Sequence, residues 1–186
     1  HGRKKYRGAH KLRMDLSLRT ILDFIVPEIA LQMVVGDTHF IRLEQVNRVI
    51  KYCLDPNRSQ SQYQHWCRWY YGYDIDVQSI FDEIRRIDGG EQIVQYICDV
   101  LGVMRESSDQ TLSFTHQYFR DYFAACALIG RILTVLELKT KADHLTANNE
   151  VFSLLIYPFQ LKLFSSHICS LVGEILNESH NIPVFY

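Results

Sequence analysis

Residues 112–128 run Leu-Ser-Phe-Thr-His-Gln-Tyr-Phe-Arg-Asp-Tyr-Phe-Ala-Ala-Cys-Ala-Leu and restrict the fold more than any other stretch of the chain. Leu112 and Phe114 alternate with Ser113 and Thr115, the period of a half-buried strand. Beyond them the period changes. Phe119, Tyr122, Phe123 and Cys126 recur at i, i+3, i+4 and i+7, which is the stripe of an amphipathic helix. A strand therefore runs directly into a helix, with His116 at the junction. Thr115 stands where an N-cap hydroxyl would accept a backbone N–H, which puts His116 in the first helical turn. Unpaired amides and the positive helix end favour an anion there, so the imidazole is a candidate phosphate contact.

Upstream, helical spacing predicts a helix over 18–35, with Ile21, Phe24, Ile25, Ile29 and Met33 inward and Ser17 as its cap. Pro27 lies inside that pattern, where it kinks or splits a helix. A brief extended segment at 38–41 leads to a helix over 42–54, with Leu43, Val46, Val49, Ile50 and Cys53 buried. The polar run 55–64, with Pro56 and Asn57 as turn residues, predicts a loop or insertion. An aromatic-dense segment, 65–73, follows it. Helices are expected over 77–87 and 91–101, broken by Asp88-Gly89-Gly90. Val103-Met104-Arg105 and Thr111-Leu112-Ser113-Phe114, joined by a polar turn, then form a hairpin. The helix from Thr115 extends to about residue 138. After a polar break at 139–149, helical segments are expected at 151–164, interrupted by Pro158, and at 166–178.

This order defines a mainly α fold with a small β-hairpin: a winged helix followed by a helical bundle or solenoid-like segment. The expected division is a basic arm at 1–16, a winged-helix-like domain at 17–114 with an insertion at about 55–75, and a long linking helix with helical-repeat-like segments at 115–186.

The 112–128 stretch closely resembles the signature near the end of the winged-helix domain in NACHT-type signal-transduction ATPases. There, a Phe-x-His-x-x-Phe core precedes an acidic-aromatic-aromatic-Ala-Ala run. The matching residues are Phe114, His116, Phe119, Asp121, Tyr122, Phe123, Ala124 and Ala125. Where that family usually carries Gln-Glu, this chain has Arg120-Asp121, which keeps the acidic charge on a shorter side chain. The segment at 26–33, with Ile29-Ala30, also looks like that family's early winged-helix run. The resemblance implies that His116 reaches the phosphates of bound ADP and helps to hold a closed, inactive state. It also implies ATP or ADP with Mg in a parent protein, an upstream nucleotide-binding domain of the same chain as partner, and self-association on opening. Signalling of this kind serves innate immunity or antiviral defence.

The sequence itself carries no G-x-x-x-x-G-K-[ST] phosphate loop, so ATP hydrolysis by this chain alone is not expected, and no cofactor is expected within it. It begins with His1 rather than Met, as an excised piece of a longer protein would. No apolar run reaches the ~20 residues that span a bilayer, and five cysteines without paired spacing argue for a reducing cytoplasm. Cys53, Cys98, Cys126 and Cys169 read as small core residues.

Charge is uneven. Six of the 20 basic residues (Arg3, Lys4, Lys5, Arg7, Lys11 and Arg13) precede any acid, which leaves 14 basic against 21 acidic residues, or −7, for the remainder. An acidic body disfavours nucleic acid as the partner of the whole unit. His65-x-Cys67 with Cys53 fits no standard zinc spacing, so no metal site is expected. Trp66, Trp69, Tyr70, Tyr71 and Tyr73 read as packing rather than a stacking platform. The carboxylates Asp82-Glu83, Asp74 and Asp76 read as surface without a partnered base. Two other functions compete with the regulatory reading: a DNA-binding winged-helix regulator, and a plain α-helical interaction scaffold. The acids Glu106 and Asp109 in the hairpin turn count against the first, because they would meet phosphates badly.

Overall fold

The computed structural model describes residues 20–71, 76–86, 89–141 and 166–179. The basic arm, the Ser17 cap, Tyr73, Asp74 and the helix expected at 151–164 with its Pro158 lie outside the described residues. The protein is mainly helical with a small antiparallel sheet.

Pro27 removes one main-chain donor from the first helix, and the chain absorbs that loss in the turn before it. Ile21–Ile25 forms a π-type turn in which Val26 N–H donates to the Ile21 carbonyl, and helix α1 follows over Val26–Val35. The proline thus sits in the first turn of α1, where its missing N–H is harmless, and the helix neither breaks nor splits. The whole stripe Ile21, Phe24, Ile25, Ile29 and Met33 is buried. Strand β1 (Ile41–Arg42) leads directly into α2 (Leu43–Cys53), with Arg42 N–H donating to Gln45 Oε1 at 3.1 Å.

The loop expected at 55–64 is a helix: α3 spans Pro56–Tyr71. Pro56 at its first position suits a helix start. Tyr63, Trp66, Cys67 and Tyr70 supply an i, i+3, i+4, i+7 stripe of which the first three are buried. Phe24, Tyr63 and Phe81 then stack in a triangle with centroids 5.0, 6.2 and 6.1 Å apart, and Tyr63 Oη donates to Thr20 Oγ1 at 3.2 Å. The aromatic segment is therefore packing where its side chains are described. Trp66 stacks on Tyr70 at 5.2 Å.

Helix α4 (Val77–Arg86) carries Ile80, Phe81 and Ile84 inward. Its Asp82 pairs with Arg85 at 2.6 Å on the outer face. Gly89 and Gly90, expected to break the chain, instead open α5 (Gly89–Gln95). A second π-type turn, Tyr96–Val100, follows, with Leu101 N–H donating to the Tyr96 carbonyl at 3.1 Å. The extra residue in that turn rotates the later positions. Val100, expected inward, is accordingly 53 % exposed.

The hairpin stands where its pattern puts it, as β2 (Met104–Glu106) and β3 (Thr111–Phe114). The sheet has the order β1-β3-β2, with Ile41 opposite Leu112 and Met104 opposite Phe114 on the buried face. Leu43 N–H donates to the Gln110 carbonyl at 2.9 Å, which ties the hairpin turn to the start of α2. Helix α6 (Gln117–Lys141) packs most extensively on α1, and α7 (Ser166–Ser179) packs on α6 through Ile168, Leu171 and Ile175.

All five cysteines are free, and four differ sharply from the fifth. Burial pushes the Cys67 and Cys126 thiols up to about 12 and Cys98 up to about 11, and raises Cys53 well above the ordinary thiol value. Cys169, expected in the core, is exposed, because α7 turns its neighbour Ile168 inward instead. Reaction with a disulfide reagent at neutral pH is expected to show one fast thiol, removed by Cys169→Ser, with the other four reacting only slowly until denaturant is added. A fast phase that persists in Cys169→Ser would contradict this packing.

Candidate functional site

The site grows from the junction of β3 and α6. Phe114 ends the strand buried, and its ring stacks on Phe123 at 6.1 Å, so the strand end is pinned to the second turn of α6. Thr115 does not cap the helix as expected. Its hydroxyl donates instead to the carbonyls of Gly102 (3.2 Å) and Val103 (3.1 Å), fastening the junction to the start of β2. Gly102 takes a φ of +64°, a left-handed turn that glycine adopts without steric penalty. The cap passes to His116, whose carbonyl accepts the Phe119 N–H at 3.1 Å. The imidazole thus stands one residue ahead of the helix rather than inside its first turn, and it is exposed. Its only described ring neighbour is Phe119, edge-on at 6.4 Å.

Phe119 departs from the expected buried stripe and is 40 % exposed. The helix's inward face in this region runs through Asp121, Ala124, Ala125 and Leu128. Tyr122 and Phe123 are half-buried and meet edge-to-face at 5.6 Å, while the exposed Tyr118 stacks on Tyr122 at 6.4 Å and meets His167 of α7 at 6.3 Å. His116, Tyr118 and Phe119 therefore form an outward aromatic rim at the head of α6.

Asp121 is buried and holds Arg120, with Nη2 at 2.8 Å and Nε at 2.9 Å from the same carboxylate oxygen. Arg120 then reaches the segment before β1, where its Nη1 lies 3.4 Å from the Thr38 carbonyl and 2.9 Å from His39 Nδ1. A donating guanidinium makes that ring nitrogen the acceptor. The Arg-Asp pair, which sets this chain apart from the resembled pattern, is a brace between α6 and β1.

Sequence reasoning missed what that brace borders. A cleft of about 400 Å³ is lined by His39, Phe40, Arg105, Ser113, Thr115 and Arg120, among others. The signal was available in the strand period: Arg105 faces Ser113 across the β2–β3 ladder on the outward side. His116 itself does not line this cleft. A second cleft, of about 500 Å³, opens over Glu28 and Arg131 between α1, α2 and α6, and mixes both charge signs.

Among the described residues no three His, Cys, Asp or Glu side chains converge as metal ligands, and no helix is long and apolar enough to cross a membrane. Compared with family models, curated proteins and solved structures, the chain has no match.

Proposed function

We propose that this chain is the regulatory winged-helix and helical portion of a NACHT-like signal-transduction ATPase, acting in the cytoplasm. It holds an adjoining nucleotide-binding domain in its ADP-bound, closed state until a ligand releases it for self-association and signalling. The observation that supports this reading is the placement of His116. Four residues that match the pattern (Phe114, Asp121, Ala124 and Ala125) are buried and fix the helix start, while the imidazole lies on the exposed rim it shares with Tyr118 and Phe119, at a surface that a neighbouring module can reach. The chain contributes positioning, not hydrolysis. One charge-assisted imidazole–phosphate hydrogen bond is worth roughly 1.5–3 kcal/mol, enough to bias a two-state equilibrium tenfold or more. The bistable element is the interface between the head of α6 and the nucleotide.

The test is the nucleotide content of the longer protein that joins this chain to its nucleotide-binding domain. His116→Ala is expected to purify with markedly less bound ADP than the wild type, and His116→Gln, which keeps a donor, with an intermediate amount. Equal ADP content in all three would reject the reading.

A further inference from the structure

We propose that the cleft between the hairpin and the head of α6 is a second anion site, which takes the phosphate group of a small phosphorylated molecule on the chain itself. Its lining combines two guanidinium groups, Arg105 and Arg120, with the hydroxyls of Ser107 and Ser113, and no carboxylate lines it among the described residues. Arg120 is already neutralised by Asp121, which fixes its orientation and leaves Arg105 as the cation whose only described partner is a hydroxyl, Ser113 Oγ at 3.3 Å. Planar forked donors of this kind match phosphate oxygens in pairs. The cleft's volume of about 400 Å³ lies in the range of small-molecule sites. Phe40 is 61 % exposed and stands at the same cleft, offering an apolar face to whatever carries the phosphate.

This site goes beyond the His116 reading, because it belongs to one chain and needs no adjoining domain. The experiment therefore uses the chain alone, titrated at constant ionic strength with inorganic phosphate, with AMP and with sodium chloride, and followed by amide and guanidinium NMR shifts. Saturable shifts at the β2–β3 hairpin and Arg120 are expected with phosphate and AMP and not with chloride. Tighter binding of AMP, reduced by Phe40→Ala, assigns a ring-bearing ester; equal binding insensitive to that change assigns free phosphate.

Arg105→Gln is expected to weaken phosphate binding at least about tenfold. Arg48→Gln, which removes an exposed arginine on α2, is expected to leave it unchanged. Arg105 is exposed and spans no buried contact, so its variant keeps the fold, which a melting curve checks. Absence of saturable phosphate binding, an equal response to chloride, or wild-type affinity in Arg105→Gln would each overturn the site.

Discussion

Glu28→Ala is expected to destabilise the protein by about 3–5 kcal/mol, measured by urea unfolding. Glu28 is only 2 % exposed on α1, and its Oε2 accepts from Arg131 Nη2 on α6 at 2.7 Å. Burial works against the Arg131 charge, yet the Glu28 carboxylate outweighs it and holds the guanidinium above its ordinary value. Arg131 Nε is already buried without a hydrogen-bond partner. Removing the carboxylate thus leaves a largely buried cation with neither counter-ion nor full solvation. The pair itself is not the source of net stability, because both charges lost water to form it. A Glu28→Met/Arg131→Met double variant is therefore expected to recover most of the loss. A single-variant effect below about 1 kcal/mol would mean that water reaches Arg131 freely, as it does surface pairs.

Phe81→Ala carries the second large effect, an expected loss of about 3–5 kcal/mol in the same assay. Phe81 is fully buried at the meeting point of the turn before α1 with α3 and α4, and it stacks on both Phe24 and Tyr63. Truncation removes the ring's own transfer free energy and leaves a cavity against two rigid aromatic neighbours that cannot collapse into it. Loss of the two stacking contacts adds to this. Phe81→Leu, which keeps most of the volume, is expected to lose less than half as much. An equal loss in both variants would show that ring geometry, rather than filled space, holds α3 and α4 to the core.

How much of this was legible follows from the range of the interactions. The buried stripe of the first helix, the α2 stripe and the alternation of Leu112 with Phe114 are local periodicities, and they place the first helix, α2 and the hairpin directly. The helical nature of 56–64 was missed because composition outweighed spacing there, although Tyr63, Trp66, Cys67 and Tyr70 already carried the helical period. The two π-type turns have no periodic signature, and the second reverses the side on which Val100 falls. Non-local features were invisible in principle: Glu28 meets Arg131 across 103 residues, and Arg120 meets His39 across 81. At the candidate site, the position of His116 at a helix start was readable to within one residue. The exposure of Phe119 and the diversion of Thr115 to the carbonyls before β2 depend on tertiary packing, and so does the Arg105–Arg120 cleft.

The proposed latch rests on an imidazole held outward by a buried strand end and helix face, where a diphosphate in an adjoining module would meet it. The dissociation rate of ADP from the joined protein, measured with a fluorescent analogue at neutral pH, tests this most directly. His116→Ala is expected to speed release by about tenfold or more while leaving thermal stability unchanged, because the exposed ring supports no buried packing. Release at the wild-type rate from a fully folded His116→Ala protein would contradict it.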